Sequence, residues 1–217
     1  MNNLFYQSLT DMMRGIRTKE ISSVELVTAC IRRIESVNPK LNAVVNFLPD
    51  QALEQAHKAD AALARGRSLG VLHGIPMTIK DSLDTAGVVT TAGTMGRKNY
   101  IPEKDATVVA RLKNAGAILL GKTNTPELTL QVETDNFVFG RTNNPYDLSV
   151  IPGGSSGGAS AIIASGGSPV DIGTDYGGSI RQPSHFCGIT GIKPTHGRVS
   201  RTGHILDYNA GLTESYQ

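Results

Sequence analysis

Three things are scarce in this chain of 217 residues: cysteine, excess charge and long apolar runs. The two cysteines, Cys30 and Cys187, lie far apart and in no CxxC pair, which excludes a disulfide framework and a thiolate zinc site. They read as free thiols in a reducing compartment. A formal net charge of +2, with the basic side chains dispersed, leaves no field strong enough to hold nucleic acid directly or to draw the chain to a membrane. No stretch reaches membrane-spanning length, and Met1 to Thr10 carries Asn, Gln and Ser where a secretory signal needs a basic patch and an apolar run. The compartment predicted from these absences is cytoplasmic.

What is present describes one soluble globular domain: 39% apolar residues, 18% charged, and no linker-like middle. Ser22 and Glu25 have capping-box spacing, and Val24, Val27, Ile31 and Ile34 recur at helical intervals until Asn38-Pro39 breaks the pattern. A second, alanine-rich helix is predicted from Asp50 to Arg65, with Gly66 as its left-handed cap. These two helices make residues 1–70 a helical cover. From Gly74 onward the pattern becomes short apolar runs alternating with helical stretches. Ile75 to Lys80 and Ala117 to Leu120 read as strands, with a helix from Asp105 to Ala115 between them, capped by Asp105 and Gly116. Ala159 to Ser165 reads as a helix and Pro169 to Gly173 as a strand. Such alternation predicts an α/β sheet core over 71–217. Beyond Lys193-Pro194 the pattern shows no clear terminal element through to Tyr216-Gln217.

The densest signal is a pair of glycine-serine clusters at strand-helix junctions, Gly153-Gly154-Ser155-Ser156-Gly157-Gly158 and Gly173-Thr174-Asp175-Tyr176-Gly177-Gly178-Ser179-Ile180-Arg181. Glycines in this density bring backbone amides close to a reacting group, and the amides of Tyr176, Gly177, Gly178 and Ser179 are suited to converge on an oxyanion. A serine hydroxyl becomes a nucleophile only when a base takes its proton. Of His57, His73, His185, His196 and His204, none has a neighbourhood that marks it as that base; His57 reads as a surface residue and the last three as turn or structural residues. Lys80 ends the apolar run Ile75 to Ile79, where desolvation would lower its proton affinity, and strand alternation sends Asp81 to the other face. Two readings of Lys80 stand at this point: a neutral lysine base, or a side chain leaving the strand for solvent.

Gly153 to Ala161, Gly173 to Arg181 and Cys187-Gly188-Ile189-Thr190-Gly191-Ile192-Lys193-Pro194 resemble the signature of the amidase signature family. That family includes bacterial amidases, fatty acid amide hydrolase and the glutamine-hydrolysing component of glutamyl-tRNA(Gln) amidotransferase. The likeness extends upstream through His73 to Asp81, Gly121-Lys122-Thr123-Asn124, Pro126-Glu127 and Asn144 to Leu148, covering most of the chain from Leu72 to Arg201. The resemblance implies a mixed β-sheet covered by helices and a catalytic triad of Lys80, Ser155 on a cis peptide, and the nucleophile Ser179. Ser155 would relay the proton between the other two. The oxyanion donors would be the amides of Tyr176 to Ser179, with Ser156, Asp175 and Arg181 bracing the loop.

The reaction implied is hydrolysis of a small carboxylic amide through an acyl-enzyme, with no cofactor and no metal. It could take two forms, a free amidase or the glutamine-hydrolysing subunit of an amidotransferase, the first preferred. Members of the family are longer and continue past the match to Arg201, so the resemblance implies the N-terminal half of the fold, truncated on its C-terminal side. A homo-oligomer or a complementing subunit would supply the rest. Other readings follow from the residues themselves. Gly153-x-Ser155-x-Gly157 fits an α/β-hydrolase elbow, with Ser155 as an esterase nucleophile, although Asp207 falls after His185, His196 and His204. Phosphate binding by the clusters lacks both the P-loop lysine and GxGxxG spacing. A catalytically silent truncated module is the remaining alternative.

Overall fold

A computed structural model describes residues 4–67 and 70–205; Asp207, Tyr216 and Gln217 of the chain's end lie outside them. Helices α1 (Leu9–Thr18) and α2 (Ser23–Leu41) lead into strand β1 (Val44–Phe47) and helix α3 (Pro49–Ala64). There follow β2 (Pro76–Lys80), α4 (Thr107–Asn114), β3 (Ile118–Thr123), α5 (Gly157–Ala164), β4 (Asp171–Ile172) and α6 (Arg181–Phe186). The strands form one sheet in the order β1-β3-β2-β4, antiparallel between β1 and β3 and parallel elsewhere. This is the mixed, helix-covered sheet that the sequence predicts.

Local chemistry accounts for most of the elements. The capping box that starts α2 is formed: Glu25 N–H donates to Ser22 Oγ at 3.1 Å, and Ser22 N–H donates to Glu25 Oε2 at 2.8 Å. Three details depart from expectation. First, α2 runs through Pro39 to Leu41. A proline ring removes one helical donor, but here it falls in the last turn, and Asn42 at φ +51° ends the helix. Asn38 latches that end to β1, its Oδ1 accepting from Ala43 and Val44 N–H at 2.8 Å each. Secondly, Asp105 does not cap α4, whose N-cap position is Ala106; its carboxylate accepts instead from Ala86 N–H at 2.7 Å and from Lys113 Nζ at 2.8 Å. Thirdly, the segment 1–70 is not helical throughout. Its strand β1 joins the sheet beside β3; four residues of which only Val44 is buried carry no alternating pattern that would stand out between two strong helices.

The two sheet faces carry separate cores. Helices α2, α3 and α5 pack through Val27, Ile34, Ala56 and Ile162 on Val44, Ile118 and Leu120. On the other face Met77, Ile79 and Leu119 meet Val108 and Val109 of α4. Cys30 lies in the first core and Cys187 at the C-terminal cap of α6, both as buried thiols outside any disulfide, which burial pushes up to about 12. Among the described residues no helix is long and apolar enough to cross a membrane.

Candidate active site

Lys80 closes β2, and its side chain is fully buried. Its Nζ donates to Ser155 Oγ at 2.6 Å and to Thr174 Oγ1 at 2.9 Å. Thus the solvent reading of Lys80 is excluded. Loss of hydration disfavours the ammonium and lowers this lysine to about 7, with Asp171 and Asp175 pulling the other way. Near neutrality such a group exists in both charge states. It therefore has the proton affinity that a general base needs.

The first glycine-serine cluster brings Ser155 to the lysine across a separation of 75 residues. Gly153 takes φ +85°, a turn that side-chain-bearing residues rarely make, and the Gly154–Ser155 peptide is cis. Immediately afterwards α5 begins at Gly157. Thr134, which sequence reasoning missed, pins the cluster: its hydroxyl donates to Gly153 O at 2.9 Å and accepts from Gly157 N–H at 3.1 Å. No local pattern around Thr134 signals this, since both partners lie about twenty residues away.

Ser156 ties the first cluster to the second. Its N–H donates to Ser179 O at 3.1 Å, and its Oγ donates to Thr174 O at 3.3 Å and accepts from Thr174 N–H at 3.4 Å. Asp175 then organises the rest of the second loop. Its Oδ1 accepts from Gly178 N–H at 2.9 Å, and its Oδ2 from Ile180 and Arg181 N–H at 3.0 and 3.1 Å. Arg181 closes on both oxygens, at 2.8 Å from Nη2 to Oδ1 and 3.0 Å from Nε to Oδ2. Burial works to raise the Asp175 carboxyl, but the Arg181 side chain and these amides outweigh it and hold the group well below the usual carboxylate range.

Ser179 is half-buried at the entrance to α6, next to the exposed Tyr176 and Gly177. Among the described residues its hydroxyl makes no hydrogen bond, so Lys80 and Ser155 are in contact and the Ser155–Ser179 link is not formed. The amides of Gly177 and Ser179 likewise carry no hydrogen bond there, whereas that of Gly178 is committed to Asp175. This narrows the donor set that the sequence suggests: an amide has one proton, and the Asp175 carboxylate takes it at Gly178.

The histidines stand apart from this constellation. His57, His185 and His196 are exposed, His73 contacts Ala59 O at 3.1 Å, and His204 lies 3.2 Å from Ser82 Oγ. The esterase elbow is therefore not built at Ser155, which is buried against a lysine and follows a loop in place of a strand. A second buried lysine, Lys122, points to the opposite sheet face and donates to Leu83 O at 2.5 Å, Thr85 Oγ1 at 2.7 Å and Thr90 Oγ1 at 3.3 Å. It clamps the loop after β2, and burial lowers it to about 8.

The site is thus framed by a mixed sheet whose central strand β2 delivers a buried lysine to a serine in a glycine-rich loop. The Amidase family model matches residues 25–215, and the chain belongs to that family. Its similarity to the A component of the glutamyl-tRNA(Gln) amidotransferase of Carboxydothermus hydrogenoformans is 48% identity over 202 residues, covering 93% of this chain and 42% of the relative. For the same component in Moorella thermoacetica the identity is 49%, with the same shares of each chain. Among solved structures, peptide amidase from Stenotrophomonas maltophilia superposes with a TM-score of 0.88 at 37% identity, covering 92% of this chain and 42% of that one. Fatty acid amide hydrolase gives 0.89 at 32% identity, covering 93% and 36%. The chain thus spans about two fifths of the length of the relatives it matches.

Proposed function

We propose that this site hydrolyses a carboxylic amide, with Ser179 as nucleophile, Ser155 as proton relay and Lys80 as base. The observation that carries the reading is the 2.6 Å hydrogen bond between the fully buried Lys80 and Ser155. In the acylation step Ser179 Oγ bonds to the carbonyl carbon while its proton moves to Ser155 Oγ, whose own proton moves to neutral Lys80. Carbonyl electrons shift onto oxygen, where the amides of Gly177 and Ser179, with that of Tyr176, are the donors in this reading. Collapse of the tetrahedral adduct breaks the C–N bond, and the leaving nitrogen takes the proton back through Ser155. Water then attacks the acyl-Ser179 ester by the same relay and restores all three groups. Asp175 and Arg181 hold the loop and need no proton in either half. Thr174 shares Lys80 with Ser155 and aims the amine.

A second form of this reading takes glutamine as the amide donor, working with a complementing subunit. It is favoured over the free amidase by the relatives at 48 and 49% identity, both named as components of an amidotransferase. Comparing ammonia release from glutamine and from simple aliphatic amides separates the two forms. The triad is tested with a fluorophosphonate probe and mass-spectrometric mapping of the adduct. The expected result is a single adduct on Ser179 that Ser179→Ala abolishes. An adduct on Ser155, or labelling retained in folded Ser179→Ala, overturns the assignment.

A further inference from the structure

Two carboxylates act on Lys80 from the strand and loop beside it, and only one is accounted for by its own neighbours. Asp175 is neutralised by Arg181 and by three backbone amides. Asp171 is different. In the sheet it lies opposite Thr78, and Thr123 lies opposite Lys80, so Thr78, Lys80, Thr123 and Asp171 share one face. Thr123 Oγ1 donates to Asp171 Oδ2 at 3.0 Å. The other oxygen, Oδ1, is buried and accepts no hydrogen bond among the described residues. The Thr78 hydroxyl opposite it favours the ionised form from outside hydrogen-bond geometry.

We propose that Asp171 is a positioning residue for Lys80: its half-satisfied carboxylate, held by Thr123 on the same sheet face, determines how tightly the lysine holds its proton. The inference rests on Lys80 being the base of the site. An anion without a neutralising partner, in surroundings that water does not screen, stabilises a neighbouring ammonium. The other charged groups are spent elsewhere. Asp81, next along the chain, accepts on Oδ2 from Thr91 N–H at 3.0 Å and from the Thr91 hydroxyl at 2.5 Å, and its charge acts on Lys122 in place of Lys80. Lys122 also acts on Asp171, but from the opposite face, where its ammonium is held by Leu83, Thr85 and Thr90 and offset by Asp81 and Asp84. Burial itself raises Asp171 to about 6, so near neutrality its charge is present and is lost on mild acidification. Over that interval the lysine and the aspartate titrate as a coupled pair. Asp171 thereby keeps Lys80 from falling as far as burial alone would take it, and a cationic, donor-ready lysine remains available for the leaving nitrogen.

The test reads Lys80 directly, by NMR titration of protein labelled with ε-13C lysine, the signal being assigned by its loss in Lys80→Arg. In folded Asp171→Asn the Lys80 midpoint is expected to fall by about one pH unit, and the acidic limb of fluorophosphonate labelling to move the same way. Thr123→Val is a second, milder perturbation. Without its hydroxyl donor Asp171 ionises less readily, so the Lys80 midpoint again falls, by a smaller amount. A midpoint that is depressed in wild type and identical in folded Asp171→Asn or Thr123→Val overturns this inference and leaves the base assignment standing. A wild-type Lys80 that titrates like a solvent lysine overturns the base assignment itself.

Discussion

If Lys80 is the base, the acylation rate of Ser179 must follow the neutral fraction of one buried amine, and pH is the cleanest way to vary it. Burial depresses the proton affinity of this lysine, so raising pH through about 7 converts it to the neutral form. About a tenth is neutral at pH 6, half at pH 7 and about nine-tenths at pH 8. The rate of fluorophosphonate labelling is therefore expected to rise about tenfold between pH 6 and 8 and then to level off. A lysine with the ordinary value near 10.4 behaves otherwise: its neutral fraction grows about a hundredfold over the same interval and does not level. The assay is stopped-time labelling at fixed probe concentration, with circular dichroism at each pH to establish that the fold is unchanged. Folded Lys80→Met serves as the reference and is expected to lose about 10²–10⁴-fold in rate and to lose the pH dependence with it. A wild-type rate that is flat from pH 6 to 8, or that climbs a hundredfold without levelling, refutes the reasoning.

Two further outcomes follow from the loops. Asp175→Asn removes the anion that holds Arg181 and the Gly178, Ile180 and Arg181 amides; because the Arg181 side chain is 56% exposed, solvent recovers part of that pairing. Stability measured by urea titration is expected to drop by about 1–3 kcal/mol, and labelling of Ser179 to fall with it; a variant unchanged in both contradicts the bracing role. Gly158→Ala places a methyl against the Ala43 carbonyl oxygen at 2.7 Å, a backbone atom that has no rotamer to yield. Thermal unfolding is expected to show a loss of about 1–3 kcal/mol, and an unaltered midpoint would mean that α5 seats more loosely on β1 and β3 than its geometry indicates.

Much of the fold is legible in the sequence, and for a local reason. Helical periodicity, the Ser22–Glu25 box and Gly66 and Gly116 as left-handed caps depend on residues within a few positions of one another, so a short window contains the physics that decides them. Failures come where a distant partner outbids the local one. Asp105 has the chemistry of a cap, yet Lys113 and the Ala86 amide claim its carboxylate. Pro39 has the chemistry of a helix stop, yet the helix runs two residues further, to Leu41, with Asn38 anchoring its end to β1. β1 is four residues whose partner, β3, lies about seventy-five positions away.

By itself the sequence determined the family pattern and which residue types stood ready for chemistry: two glycine-serine loops and a lysine at the end of an apolar run. It left Lys80 divided between base and surface residue, because a side chain's proton affinity is not a property of its neighbours along the chain. Only the tertiary structure decided that the amine is dry, that Ser155 and Thr174 receive its hydrogen bonds, and that Asp171 shares its face of the sheet. Hydration and charge act through space: the glycine-serine loops fold over the end of β2 to bring Lys80 together with groups 75 and 94 residues away, and the register of β2 against β3 and β4 sets Thr123 and Asp171 on its face.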